Sequence, residues 1–262
     1  MRYTKGSFVI TAEGDIPLLR HVRNSRFVGH QQLFKLLENE AAISCRRTFN
    51  WRVQRLLNLR HIQQVETFAW EGSPVYSITQ NGLHALESQG EFALALNSGT
   101  RQMPNSAQAF HALELNAVRL ALAHAGLLVS WQSEIEVASC NMVSGIYQKD
   151  YDAIVKMWVG SELREFALEY ERSLKGARQY ERVRAAIDAE RQIACVLYVT
   201  TDVDLLFAIL CQLIPVSKQL GFAVARCFKE QLLATPVTTD AKGSTVSLEK
   251  FLQYAHPLYM GV

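Results

Sequence analysis

Three acidic residues, Asp152, Glu169 and Glu171, matter because the chain between them reads as a hairpin. Gly160-Ser161 divides two strand-like runs, and a two-residue turn there pairs Val159 with Glu162. Moving away from the turn, Lys156 falls opposite Glu165 and Asp152 opposite Glu169. Opposed residues share a face. Asp152, Glu169 and Glu171 therefore gather on one side, and Ala153, Val155, Met157, Phe166, Leu168 and Tyr170 make the other side apolar. Two carboxylates on adjacent strands suit Mg²⁺, which takes oxygen ligands and keeps several waters. With a phosphate oxygen in the shell, such an ion polarises phosphorus and lowers the pKa of an attacking water. Asp152 and Glu169 are the expected metal ligands. The plainer alternative is a solvated polar face, with Lys156–Glu165 a surface pair worth a few tenths of a kcal/mol.

The flanking sequence must hold that hairpin in place. A long helix is expected over Ser106–Ala125, with Leu115, Val118 and Leu122 on its buried side and His111 as a packed core histidine. Leu127–Val137 alternates at Trp131, Ser133, Ile135 and Val137 and reads as a strand. After the hairpin a helix over Lys175–Arg191 leads to Ile193–Thr200, an apolar run suited to a strand buried on both faces. Asp202 is placed to cap a helix running to about Gln219, and Phe222–Phe228 reads as a last strand. A loop over Leu232–Gly243 and a short helix at Leu248–Tyr254 complete the chain. Helical crossovers make the later strands parallel to their neighbours, giving a mixed sheet flanked by helices.

The first third has a different rhythm. Asp15 is a plausible N-cap for a helix carrying Pro17 in its first turn, and a second helix carries Val28, Leu33, Leu36 and Leu37. Ser44 is the expected cap of a third helix whose Phe49, Val53, Leu56 and Leu57 fall at helical spacing, with Arg46, Arg47, Asn50, Arg52 and Arg55 largely off that stripe. Strand-like runs at Ile62–Trp70 and Val75–Thr79 flank Glu71-Gly72-Ser73-Pro74, and a helix follows over Gln80–Ser88. Helix, helix, basic helix, hairpin, helix is the order of a winged helix-turn-helix, whose third helix enters the major groove of duplex DNA. Arg46, Arg47, Asn50, Arg52 and Arg55 are the expected DNA-binding residues. The alternative is a merely solvated arginine face.

Charge agrees with that division. The 262-residue chain carries a net charge of +2, but residues 1–90 hold eleven Lys/Arg, nine of them Arg, against seven Asp/Glu. Arginine suits bidentate phosphate and guanine contacts. The boundary is expected at 93–105, between a winged-helix domain over 1–92 and a second domain over 106–262. No apolar run reaches the roughly 18 residues of a membrane span, and the N-terminus lacks a signal-peptide pattern. Five dispersed cysteines, Cys45, Cys140, Cys195, Cys211 and Cys227, contain no C-x-x-C pair and read as reduced thiols, Cys195 and Cys211 as core. A cytoplasmic protein with no membrane partner is expected.

The αβββαβ order, Asp152 opening the second strand, and Glu169-Tyr170-Glu171 late in the third resemble the PD-(D/E)XK restriction-endonuclease-like fold. The whole chain, winged helix followed by this domain, resembles the replication-relaxation family of plasmids and other mobile elements, over most of residues 15–200. Within that resemblance His111, Asn116, Glu169 and the Lys175…Tyr180 pair match family-like positions. It implies an α+β fold, double-stranded DNA and mobile-element or replication proteins as partners, a homodimer, and Mg²⁺-dependent endodeoxyribonuclease chemistry. The catalytic set it implies is Asp152, Glu169, Glu171 and Lys175. Two departures are plain: Tyr151 stands where the motif has proline, and Glu171 where it has the lysine that orients water. Some restriction endonucleases of this fold carry glutamate there, and Lys175 or Lys149 could supply the cation. The alternative function is a non-catalytic transcription regulator whose second domain serves oligomerisation or partner binding.

Overall fold

A computed structural model describes residues 9–94, 106–214 and 216–257, so most of the expected linker lies outside the described residues. The protein is a mixed α+β chain dividing into two compact units, Met1–Phe92 with Gly99–Asn116, and Ala93–Ser98 with Ala117–Val262. No described helix is long and apolar enough to cross a membrane.

The first unit runs α1 (Asp15–Ser25), β1 (Val28–Gly29), α2 (His30–Asn39), α3 (Arg46–Asn58), β2 (Ile62–Trp70), β3 (Ser73–Ile78) and α4 (Gln80–Glu87). Its antiparallel sheet has the order β1-β3-β2. Leu18, Leu19, Val22, Leu33, Leu37, Phe49 and Leu56 are fully buried, so the apolar stripes of the three helices meet in one core. Two expected caps are corrected. Gly14, not Asp15, precedes α1, and Cys45, not Ser44, precedes α3. Asp15 instead turns inward, because its carboxylate has partners waiting in the core.

The helix α5 (Ser106–His124) begins in the first unit and ends in the second. Its first half is keyed to the first unit by polar groups. The Gln32 amide donates to Leu113 O at 2.7 Å, and Asn116 donates to Phe27 O at 3.0 Å while accepting from Ser25 Oγ at 3.0 Å.

The second unit continues with β4 (Leu128–Ser133), α6 (Glu134–Ser144), β5 (Ala153–Val159), β6 (Glu162–Glu171), α7 (Ala177–Ala189), β7 (Cys195–Thr200), α8 (Val203–Leu213), β8 (Gln219–Val224), α9 (Ala225–Gln231), β9 (Pro236–Thr238), β10 (Thr245–Ser247), α10 (Leu248–Leu252) and β11 (His256–Pro257). Its sheet follows the order β10-β9-β8-β7-β6-β5-β4, with β6, β7 and β8 parallel and the other pairings antiparallel. Off that path, β11 pairs with β6 at Arg164 and Glu165, below the point where β7 joins at Ala167. The hairpin register is the expected one from Val159↔Glu162 to Ala153↔Leu168, with Lys156 opposite Glu165. One face of the sheet packs Ile154, Ala167, Val196, Tyr198 and Phe222 against Tyr180 and Ile187 of α7 and Leu206, Ile209 and Leu213 of α8.

Several expected boundaries move. The alternation from Trp131 to Val137 is interrupted at Ser133, where the strand ends and α6 begins. Glu136 accepts from both the backbone N–H and the hydroxyl of Ser133, at 2.8 and 2.7 Å. That S-x-x-E pairing is a helix-starting signal that outweighs strand periodicity. The helix capped by Asp202 stops at Leu213 rather than near Gln219, since a residue preceding proline is pushed from helical to extended backbone, as Ile214 is. The strand expected at Phe222–Phe228 ends at Val224, level with the last residue of β7, and the chain turns into α9. Cys211 is exposed, because the buried side of α8 is Leu206, Ile209, Leu210 and Leu213; among the cysteines Cys195 alone is buried.

Gly221 sits in the centre of β8 under the α10 helix. A Cβ there would lie 2.6 Å from both Phe251 Cζ and Val237 Cγ1. Gly221→Ala is expected to lower stability by about 1–3 kcal/mol through overpacking. The readout is a lower denaturant midpoint at unchanged slope.

Candidate functional site

In the second unit, strand register alone brings Glu169, Glu171, Tyr198 and Thr200 to one face, since Glu169 pairs with Tyr198 and Glu171 with Thr200. This is the carboxyl end of the parallel strands, where crevices in open α/β sheets lie. Asp152 precedes β5, and its Oδ2 accepts the Tyr170 backbone N–H at 2.7 Å, which holds it beside Glu169. Glu169 and Glu171 are 2% and 6% exposed, so neither belongs to a solvated face. That alternative is corrected for both glutamates. Lys156–Glu165, by contrast, is a 3.0 Å pair with a substantially exposed lysine.

Each buried glutamate has a lysine. Lys149, in the loop before β5, bonds Glu169 Oε1, and its ammonium lies 5.2 Å from the Tyr151 ring centroid. Lys175 bonds Glu171 Oε1. Lys175 is not inside the following helix, as expected, but in the turn before α7, where its backbone N–H donates to Tyr180 Oη at 3.3 Å. Both cations proposed to replace the missing motif lysine are thus drawn to the acidic cluster, one to each glutamate.

The electrostatics are unbalanced in one place. Burial, and then the charge of Glu169, push the Asp152 carboxyl well above the carboxylate range. Burial raises Glu171 too, against the pull of Lys175. Burial alone would lower Lys175, but Glu171 outweighs it and the ammonium is raised. Tyr198, 1% exposed, stacks on Phe222 at 5.4 Å, and its hydroxyl has no hydrogen-bond partner among the described residues. Burial and the nearby Glu169 raise that phenol strongly. An unsatisfied buried hydroxyl is costly, so Tyr198 is a group of the site that sequence reading passed over as core. Glu190 was also missed. It is buried and accepts from the backbone N–H groups of Gln148, Arg191 and Gln192 and from Tyr151 Oη, anchoring the loop that carries Lys149.

The donor set is all oxygen, which suits a hard cation. Among the described residues no group of three or more His, Cys, Asp or Glu is arranged to hold a metal. The candidate ligands remain the pair Asp152 and Glu169, a number that fits an ion keeping its waters and taking phosphate oxygens. Burial and the nearby Glu169, which together raise the Asp152 carboxyl, are what a divalent cation would counter. His111 and Asn116 belong to the first unit, where Asn116 serves the helix packing already described.

In the first unit the basic helix α3 splits into two faces. Arg52 and Arg55 turn inward to the fully buried Asp15. Arg52 Nη1 lies 3.3 Å from Asp15 Oδ1, Arg55 bonds Oδ2, and Arg55 also donates to Val9 O at 3.1 Å. Thr11 adds its N–H and hydroxyl to Asp15 Oδ2, each at 2.8 Å. Arg46 bonds Gln31 and lies over the Phe34 ring at 4.5 Å. Arg47 and Asn50 face outward, together with Trp51, which is 52% exposed, and Gln54. The spacing 47, 50, 51, 54 is one helical face, so Trp51 and Gln54 were legible from the position of Arg47. Asp15 accounts for the departure of Arg52 and Arg55 from that face.

No protein-family model matches this chain, and neither the curated proteins nor the solved structures contain a significant match.

Two carboxyl substitutions should have opposite signs. Burial would raise Asp15, but the Arg55 and Thr11 hydrogen bonds prevail and hold it below the usual carboxylate value. Its contribution is present above the unfolded pKa and lost as pH falls through the lowered one. Asp15→Asn should therefore cost about 3–5 kcal/mol at neutral pH, because two inward arginines lose their counter-charge. Asp152 has a raised value, so its ionisation removes stability as pH climbs from the unfolded pKa to the folded one. Asp152→Asn should raise neutral-pH stability by on the order of 1 kcal/mol. Denaturant melts across pH compare the two.

Proposed function

We propose that this protein binds duplex DNA through its first unit, acting as a winged helix-turn-helix, and handles the phosphodiester backbone with a nuclease-like second unit. The order of α1, α2, α3 and the β2–β3 hairpin, with β1 as third strand, supports the winged-helix reading. The observation that carries the proposal is the outward face of α3. Arg47, Asn50 and Gln54 are of the side-chain types that read base edges or phosphates, and they flank an exposed tryptophan on a helix whose Arg52 and Arg55 are committed to Asp15. Arg47 has no ion-pair partner among the described residues, which leaves its guanidinium for phosphate or guanine.

For the second unit, Asp152 and Glu169 would hold Mg²⁺, with Glu171 and Lys175 beside them. When bound, the ion would supply Lewis-acid activation of a phosphate ester and of water. Lys149 and Lys175 would offset the charge of an incoming phosphate, taking the place of the lysine that Glu171 replaces. The Tyr170 N–H would orient Asp152 toward such an ion. A setting in a plasmid or other mobile element, as a homodimer beside replication proteins, rests on the sequence resemblance. A second reading has its own support: both buried glutamates are already neutralised by lysines, as befits a scaffold that only binds DNA.

Mobility shifts over a salt series test the first unit. Arg47→Ala should weaken duplex binding and reduce the log–log salt slope by about 0.9 if one phosphate contact is lost. Unchanged affinity and slope would remove α3 as the reader. Supercoiled plasmid incubated with Mg²⁺ or Mn²⁺ tests the second. Cutting by the wild type should disappear in Asp152→Ala and Glu169→Ala, whereas a wild type that never cuts leaves the binding-only reading.

A further inference from the structure

One polar side chain on the outward face of α3 is held differently from its neighbours. Asn50 is exposed, yet its Oδ1 lies 3.1 Å from His30 Nε2, and His30 Nδ1 lies 2.9 Å from Tyr76 Oη. The chain of contacts therefore runs from a buried tyrosine of β3, through the first residue of α2, to the surface of α3. The imidazole is also fixed as a body. Its ring centroid is 4.8 Å from that of the fully buried Phe49 and 5.8 Å from that of Tyr76.

With Asn50 Oδ1 facing the ring, one neutral tautomer satisfies both contacts. An amide oxygen only accepts, so His30 Nε2 carries the proton that is donated to Asn50 Oδ1. Burial and the nearby Arg46 hold His30 below its usual pKa, which favours a neutral ring with one N–H. The other nitrogen, Nδ1, then accepts from the Tyr76 hydroxyl, whose own ionisation is opposed by burial. Asn50 is left with both Nδ2 hydrogens and the second lone pair of Oδ1, and turning its amide would require the other imidazole tautomer and a reversed Tyr76 hydroxyl.

We propose that Asn50 reads an adenine in the major groove, and that His30, backed by Tyr76, is the positioning residue that fixes which edge of the amide meets the base. Adenine offers N7 as acceptor beside the N6 amino donor, the complement of an amide N–H and C=O. Guanine offers two acceptors in the same place, so the fixed Oδ1 would meet a lone pair. A freely rotating asparagine could turn its amide to suit another partner, whereas this one discriminates because it is held. The inference rests on the proposed DNA reading by α3.

The test is affinity selection from a randomised duplex pool, followed by binding measurements on the recovered site. Wild type should select one A·T pair whose change to G·C weakens binding about 5- to 150-fold, the range of one bidentate contact. Replacing that adenine by 7-deazaadenine, which keeps base pairing but removes N7, should weaken wild type and leave Asn50→Ala unaffected. His30→Ala should lower the A·T-over-G·C ratio more than it lowers binding to the G·C duplex, which a merely destabilised domain would not do. Asn50 is exposed, so its alanine variant keeps the fold. If Asn50→Ala retains the same adenine preference while wild type binds and selects, this inference is overturned and the DNA reading stands. If wild type binds no duplex, both fail.

Discussion

The antiparallel pairing of β5 with β6 is the constraint on which the candidate chemistry depends. Side chains alternate along a strand, so a slip of one residue would send Glu169 and Glu171 to the opposite face and bring Leu168 and Tyr170 to theirs. The turn at Gly160, whose φ is +61°, and the apolar residues on the other face pin the register. Two carboxylates thereby enter a face that is otherwise apolar and covered by α7 and α8. Acids in such a place need counter-charge, and Lys149 and Lys175 provide it from the loops at either end of the hairpin. Asp152 is held beside them by the Tyr170 N–H. Its depressed acidity, and the Tyr198 hydroxyl that has no hydrogen-bond partner among the described residues, mark a place where local stability is given up.

The first unit solves a related problem in the opposite way. Asp15 is as buried as any leucine around it, but it has two arginines and Thr11 on its oxygens and is held ionised. A charge-paired network of this kind ties α3 to the core at two points, since both arginines belong to that helix. The same network divides the arginines of α3 between structure and surface. What remains outside is a short stripe in which Asn50 contacts His30 and Arg47 is exposed. Rigid support under a few polar groups favours discrimination over mere affinity.

The two units thus place their charged groups by different means. In the second, strand register and the loops flanking the hairpin collect acids and then lysines. In the first, a buried carboxylate draws basic residues away from an exposed helix face. In both, a charge inside the protein dictates which charges remain for a ligand.

The sequence by itself determined the hairpin, its register and the side on which the three acids fall. A two-residue turn and a period of two point to that pairing, which the ladder from Val159↔Glu162 to Ala153↔Leu168 then bears out. It also determined the helix–helix–helix–hairpin order of the first unit and the parallel run of β6, β7 and β8, because periodicity and crossover helices are local properties. It held the capping pair Ser133–Glu136 as well, although strand alternation across the same residues concealed it. Only the tertiary structure decided the roles of the individual charges. Nothing local distinguishes Arg47 from Arg52 on a basic helix; the difference is Asp15, some forty residues away in the chain. Nothing local separates Tyr198 from a core tyrosine, because its surroundings are set by Phe222 and Glu169 from neighbouring strands. Coulomb energies and desolvation depend on distance through space and on burial, and both are set by packing across elements rather than by spacing along the chain.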